Sequence, residues 1–109
     1  MDRDHLGGFE YVVILGLIRL REDAYGVTVR QEIETRTGRE VSIGAVYATL
    51  DRLETKGYVR SRLGEPTPER GGRSKRFFRV TTKGMTAVNR THNALLQLTD
   101  GLNLVRSTS

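Results

Sequence analysis

The sequence contains no cysteine. That excludes a disulfide framework and a thiolate metal site, and it points to a cytoplasmic protein rather than an extracellular miniprotein. Histidine is scarce as well. His5 and His92 stand far apart, with no clustered carboxylates beside them, so the pattern offers no metal centre. Long apolar runs are also missing. The densest, Tyr11–Leu20 (YVVILGLIRL), is interrupted by Gly16 and Arg19 and falls short of the roughly 20 residues that span a bilayer. It reads as a buried helix, and no export signal is apparent. No serine, histidine and acid arrangement invites nucleophilic catalysis. The stretch GEPTPERGG lacks the Gly-Lys-Ser/Thr ending of a phosphate loop and precedes a strand pattern instead of a helix. The expectation is a protein that is not an enzyme, holds no metal or cofactor, and does not enter a membrane.

What is present is positive charge, unevenly placed. The chain has 109 residues, enough for one core, with a net charge of +5 and a pI near 10.1. Between Arg60 and Arg79 stand Arg60, Arg62, Arg70, Arg73, Lys75, Arg76 and Arg79 against only Glu65 and Glu69, and the remainder is nearly neutral. A cationic segment of this kind favours an anionic partner.

Apolar spacing supplies the elements. Leu6–Arg21 is apolar on nearly every side, as in a first helix clamped between others. Val27–Thr37 places Val29 and Ile33 four apart in a short amphipathic helix that Gly38 stops. Ser42 can cap a third helix whose Ile43, Val46, Leu50, Leu53 and Gly57 share one face, the core side, while Gly44, Ala45, Ala48 and Arg52 point away. The period then changes to two. Val59, Ser61 and Leu63 alternate with Tyr58, Arg60 and Arg62, and KRFFRVT (Lys75–Thr81) reads as a second strand with Phe78 and Val80 on one face and Phe77 and Arg79 on the other. Between them, EPTPERGGRS is a hairpin loop. A last helix starts at Thr81 or Thr82. Its apolar stripe runs through Gly101 to Val105 and is too long for so small a body to bury. Met85, Val88, His92, Leu95, Leu98, Leu102 and Val105 are therefore expected to meet a second copy.

In this order the elements describe a mainly α, α+β winged helix: a three-helix helix-turn-helix core, a two-stranded β wing and a long C-terminal dimerisation helix. Residues 1–81 would bind DNA and residues 82–109 would dimerise. A helix that enters the major groove needs a narrow outer face, so that its backbone can approach base edges and phosphates. Gly44, Ala45 and Ala48 provide one, with Ser42 at the positive helix end and the hydroxyls of Tyr47 and Thr49 flanking it. Arg52 is the long cation on the outward face, and acids enter only at Asp51 and Glu54. Arg70, Arg73 and Lys75 lie in or beside the hairpin tip, positioned for phosphates or the minor groove. Tyr25 reads equally as packing or as a phosphate contact, whereas Tyr58, Phe77 and Phe78 read as packing. The competing interpretation is a protein-interaction module: small residues admit a second helix, and the basic hairpin holds an acidic protein.

Taken together, Tyr25-Gly26, Ile33, Ser42, Gly44, Tyr47, Leu50, Leu53, Gly57, the KRFFRVT strand and Thr81 with Gly84 resemble a PadR-type transcriptional regulator over about Ile14 to Val88. Phe77 and Phe78 stand where that family commonly has tyrosines, and Val27 where an aromatic is common. The resemblance implies a dimeric repressor of double-stranded operator DNA. It also implies that the last helix packs on the partner's first and last helices, with a groove for small aromatic or drug-like effectors between them.

Overall fold

The computed structural model describes residues 5–65 and 75–104. Helix α1 (Gly8–Leu20) is followed by a single 3-10 turn (Arg21–Asp23). Helices α2 (Gly26–Thr37) and α3 (Ile43–Thr55), strands β1 (Val59–Leu63) and β2 (Arg76–Val80), and helix α4 (Thr82–Thr99) complete the fold. Each helix start has a local cause. The Glu10 carboxylate accepts the Gly7 N–H at 2.8 Å, the Thr28 hydroxyl accepts the Tyr25 N–H at 3.0 Å, and Ser42 and Thr81 accept the N–H groups of Ala45 and Gly84, each at 3.0 Å. These bonds satisfy donors that a first turn leaves without partners. Gly38 ends α2 in the left-handed conformation at φ 70°, its N–H donating to the Glu34 carbonyl. Gly57 does the same service after α3 at φ 81°. It is exposed in that turn, not part of the core face expected for it.

The strands pair antiparallel, with Val59 opposite Val80, Arg60 opposite Arg79, Ser61 opposite Phe78, Arg62 opposite Phe77 and Leu63 opposite Arg76. Tyr58 precedes the strand and is buried, so it does not share the exposed face of Arg60 and Arg62. On its other edge β2 is fastened to the start of α2, where the Phe78 N–H donates to the Ala24 carbonyl at 2.8 Å and Tyr25 bridges Phe77.

Val13, Ile14 and Leu17 of α1 meet Val29 and Ile33 of α2, Val46, Leu50 and Leu53 of α3, and Phe78 of β2 in one core. Each fully buried aliphatic side chain contributes about 1.5–3 kcal/mol. Helix α4 closes over this core through Ala87 and Val88. Gly84 sets that crossing: a Cβ there would lie 2.1 Å from the Tyr58 carbonyl oxygen. The stripe expected to continue through Gly101 is cut short. The helix ends at Thr99, Gly101 turns at φ 79°, and Leu102 follows outside the helix. Among the described residues no helix is long and apolar enough to cross a membrane.

Candidate nucleic-acid interface

Helix α3 buries Val46, Leu50 and Leu53, and that choice decides what it shows outside. Gly44, Ala45 and Ala48 are exposed, and a Cβ at Gly44 would meet nothing within 4 Å. The narrow face is therefore open to an incoming duplex. Ser42 caps its leading end, where N–H groups and the helix dipole favour an anion. Tyr47 borders the face in a fixed position. Its ring lies against Gly26, where an added Cβ would come 2.3 Å from the Tyr47 Cζ.

One expected contact is displaced. Thr49 is only 3% exposed, because one more 100° step from Ala48 turns its side chain to the core flank, so its hydroxyl does not border the groove face. Arg52 is exposed, as expected, and near enough to Glu10 for its charge, with that of Lys56, to act on that carboxyl. Glu10 is nearly buried and accepts from the Lys56 ammonium at 2.7 Å, which ties the start of α1 to the end of α3. Burial opposes its ionisation. The Lys56 and Gly7 bonds and the field of Lys56 and Arg52 outweigh that, and the carboxyl sits below its ordinary value.

The acids of α3 are not left facing a phosphate backbone. Arg76 of β2 donates to Asp51 at 3.0 Å and to Glu54, and Glu54 also accepts the Ser61 hydroxyl at 2.6 Å and the Ser61 N–H at 3.1 Å. The Ser61 hydroxyl bond is the main influence holding the Glu54 carboxyl below its ordinary value. Partial burial opposes it, and the Arg76 charge reinforces it. Arg76 is thus a clamp between α3 and the wing, a role that sequence reasoning missed. Its place in the second strand was legible, but its register and the approach of α3 to it were not.

Tyr25 packs within the chain. It meets Phe77 edge-on at 5.4 Å between centroids, and the Lys75 ammonium lies 4.6 Å above its ring and 3.3 Å from its hydroxyl. Arg62 in turn covers Phe77 at 4.9 Å. This alternation of cations and rings braces the wing against the start of α2. Lys75 remains exposed at the wing's edge, whereas Arg70 and Arg73 lie outside the described residues.

At the other end, Met85, Leu95, Leu98 and Leu102 are exposed, joined by Leu96 and Leu104. Val88, expected on the same seam, is 6% exposed and belongs to the chain's own core. His92 is exposed and pairs its Nδ1 with the Tyr11 hydroxyl at 3.2 Å, within the same chain. Val105 lies outside the described residues.

The family model of PadR-like transcriptional regulators matches residues 14–90. A protein of Lysinibacillus sphaericus described as uncharacterized protein X is 36% identical over 74 residues, or 66% of this chain, and the match spans only 64% of that relative's length. A transcriptional regulator from Clostridium thermocellum superposes with a TM-score of 0.72 at 22% identity, covering 94% of this chain and 95% of that one. A PadR family transcriptional regulator from Eggerthella lenta superposes with a TM-score of 0.66 at 25% identity, covering 84% and 77%. With more than two thirds of its length inside the family model and the same architecture in solved members, the chain belongs to the PadR-like family of DNA-binding, winged-helix transcriptional regulators.

Proposed function

We propose that this regulator is a cytoplasmic homodimeric repressor, whose two α3 helices enter successive major grooves about 34 Å apart on an inverted-repeat operator. The observation that carries the reading is the open outer face of α3, where Gly44, Ala45 and Ala48 are exposed beside a wing that has drawn the helix's acids onto Arg76. Residues 1–81 then form the DNA-binding unit, and residues 82–109 hold the two copies together through the exposed leucines of α4. A small aromatic or drug-like effector seated between the copies would release the operator by favouring an α4 angle at which both α3 helices no longer fit their half-sites.

A mobility shift with the protein's own promoter region against scrambled DNA, run across a salt series, tests this reading. Specific, salt-sensitive binding is expected, and Ala48→Glu should abolish it while leaving the fold intact. Retained binding by that variant would remove α3 from the groove. Binding to an acidic protein in place of DNA would favour the interaction-module reading.

A further inference from the structure

The two faces of the wing carry their charge differently. In an antiparallel pair, residues directly opposite point to the same side of the sheet. Ser61, Phe78 and Arg76 therefore turn toward the core and α3, while Arg60 and Arg79 turn to the other side. Among the described residues, three cations of the hairpin are already occupied. Arg76 is held by Asp51 and Glu54, Lys75 lies on Tyr25, and Arg62 covers Phe77. Arg60 and Arg79 differ. They are exposed, they face one another across the strands with Cβ atoms about 4.5–5.5 Å apart, and neither guanidinium has a hydrogen-bond or ion-pair partner among the described residues. Like charges placed directly opposite are destabilising, and an anion seated between the two guanidinium groups relieves the repulsion.

This pair borders a cavity of about 580 Å³ between the hairpin and the end of α1, a size suited to a small molecule. Arg21 also lines it, and Arg21 is the one non-glycine with positive φ (56°) among the described residues. Backbone in such regions is enriched at binding sites. With Arg62, the walls present four guanidinium groups against the single carboxylate of Glu22. The remaining lining is Leu17, Ile18, Phe77, Phe78 and Val80 with the hydroxyl of Ser61, and of these Phe77 shares the sheet face of Arg60 and Arg79. Arg60 stands three residues from Leu63, which places the pair about 10 Å back from where the hairpin loop leaves the sheet. It also faces away from the side that Arg76 fastens to α3. A duplex lying on α3 does not approach it from that side.

We propose that this cavity is a site for a small organic phosphate: a doubly charged head held by Arg60 and Arg79, with Arg21 alongside, and an apolar body resting on Ile18 and Phe77. The planar guanidinium forks match a phosphate's oxygens in pairs, and the excess of cations favours a dianion over a monoanion. The site lies within one chain, so the proposal does not depend on the dimer or on the effector groove described above.

The test is calorimetric titration at fixed ionic strength with phenyl phosphate, inorganic phosphate and phenol as probes. Saturable binding of phenyl phosphate is expected, with weaker binding of inorganic phosphate and none of phenol. The double variant Arg60→Ser/Arg79→Ser should lose at least tenfold in affinity for phenyl phosphate, while its ligand-free melting temperature stays level or rises because the repulsion is gone. Arg21→Ser, outside the sheet, supplies a second reading and should weaken binding several-fold. Absence of saturable binding, or unchanged affinity in these variants, overturns the proposal. The double variant should also keep the wild-type salt slope on a mixed-sequence duplex. A slope lower by about 0.9 per arginine would assign the pair to DNA phosphates and overturn the small-ligand assignment.

Discussion

At the scale of single residues, the Glu10–Lys56 pair makes a prediction whose sign follows from burial. The Glu10 side chain is 7% exposed and that of Lys56 is 40% exposed, so the two partners differ in what their removal leaves behind. Lys56→Met strands a carboxylate in the interior and should cost about 2–3 kcal/mol, below the range for a fully buried pair because Arg52 still acts on Glu10. Glu10→Gln leaves an ammonium that can turn to water and should cost about 1 kcal/mol. Urea denaturation at neutral pH measures the asymmetry, and equal costs would contradict it. The pH dependence has a fixed direction. Burial disfavours ionised Glu10, but the bonds from Lys56 and Gly7 prevail and lower its pKa from 4.5. The stability it adds is present above that value and is lost as pH falls through the lower folded value. Glu10→Gln should therefore flatten part of the acid limb of a stability profile. Gly84 allows a sharper test. An alanine Cβ would meet the Tyr58 carbonyl oxygen at 2.1 Å and a Val80 methyl at 2.8 Å, and the carbonyl belongs to backbone that cannot swing aside. Gly84→Ala should cost about 3 kcal/mol by thermal denaturation and displace α4.

At the scale of elements, α3 and the wing act as one unit because Arg76 holds Asp51 and Glu54. Exposed ion pairs add only about 0–1 kcal/mol, so Arg76→Ala should barely change the melting curve. It should nevertheless weaken DNA binding, since two carboxylates would then stand uncompensated beside the groove face. The salt slope should stay as it was, because Arg76 is engaged with those acids and does not itself neutralise a phosphate. A slope reduced by about one unit would instead make Arg76 a direct DNA contact. Much of this element was legible beforehand. The spacing of Val46, Leu50 and Leu53 chose the buried face, and Ser42, Gly38 and Gly57 marked the ends through capping and left-handed turns. What escaped were features set by packing between elements distant in sequence. Thr49 sits at the margin of the helical stripe, where one step of rotation decides between core and groove, and the neighbouring elements settle it as core. Arg76 looked like one more wing cation because its partners lie more than twenty residues away. Val88 looked like part of a continuous stripe, but the close crossing at Gly84 brings it into the chain's own core.

At the scale of the whole molecule, α4 is anchored for half its length and unsupported beyond. Gly84, Ala87, Val88 and Thr91 are buried, the Thr91 hydroxyl accepts the Leu6 N–H at 3.2 Å, and His92 pairs with Tyr11. From Leu95 onward, Leu95, Leu96, Leu98, Leu102 and Leu104 are between 46% and 73% exposed. A run of leucines on the far end of an otherwise anchored helix and the segment after it is the surface through which a second copy would bury the apolar area that one chain cannot. Because these side chains contribute little to the subunit's own core, Leu95→Glu/Leu98→Glu should leave the circular dichroism of the fold intact and convert a dimer to a monomer in analytical ultracentrifugation. The wild type should also melt at temperatures that rise with protein concentration, as expected when folding and association are linked, and the variant should lose that dependence. Operator affinity should fall steeply with it, since two half-sites bound by unlinked subunits no longer share one effective concentration. A variant that remains dimeric would move the interface off these leucines, and with it the expectation that the angle of α4 sets the separation of the two α3 helices.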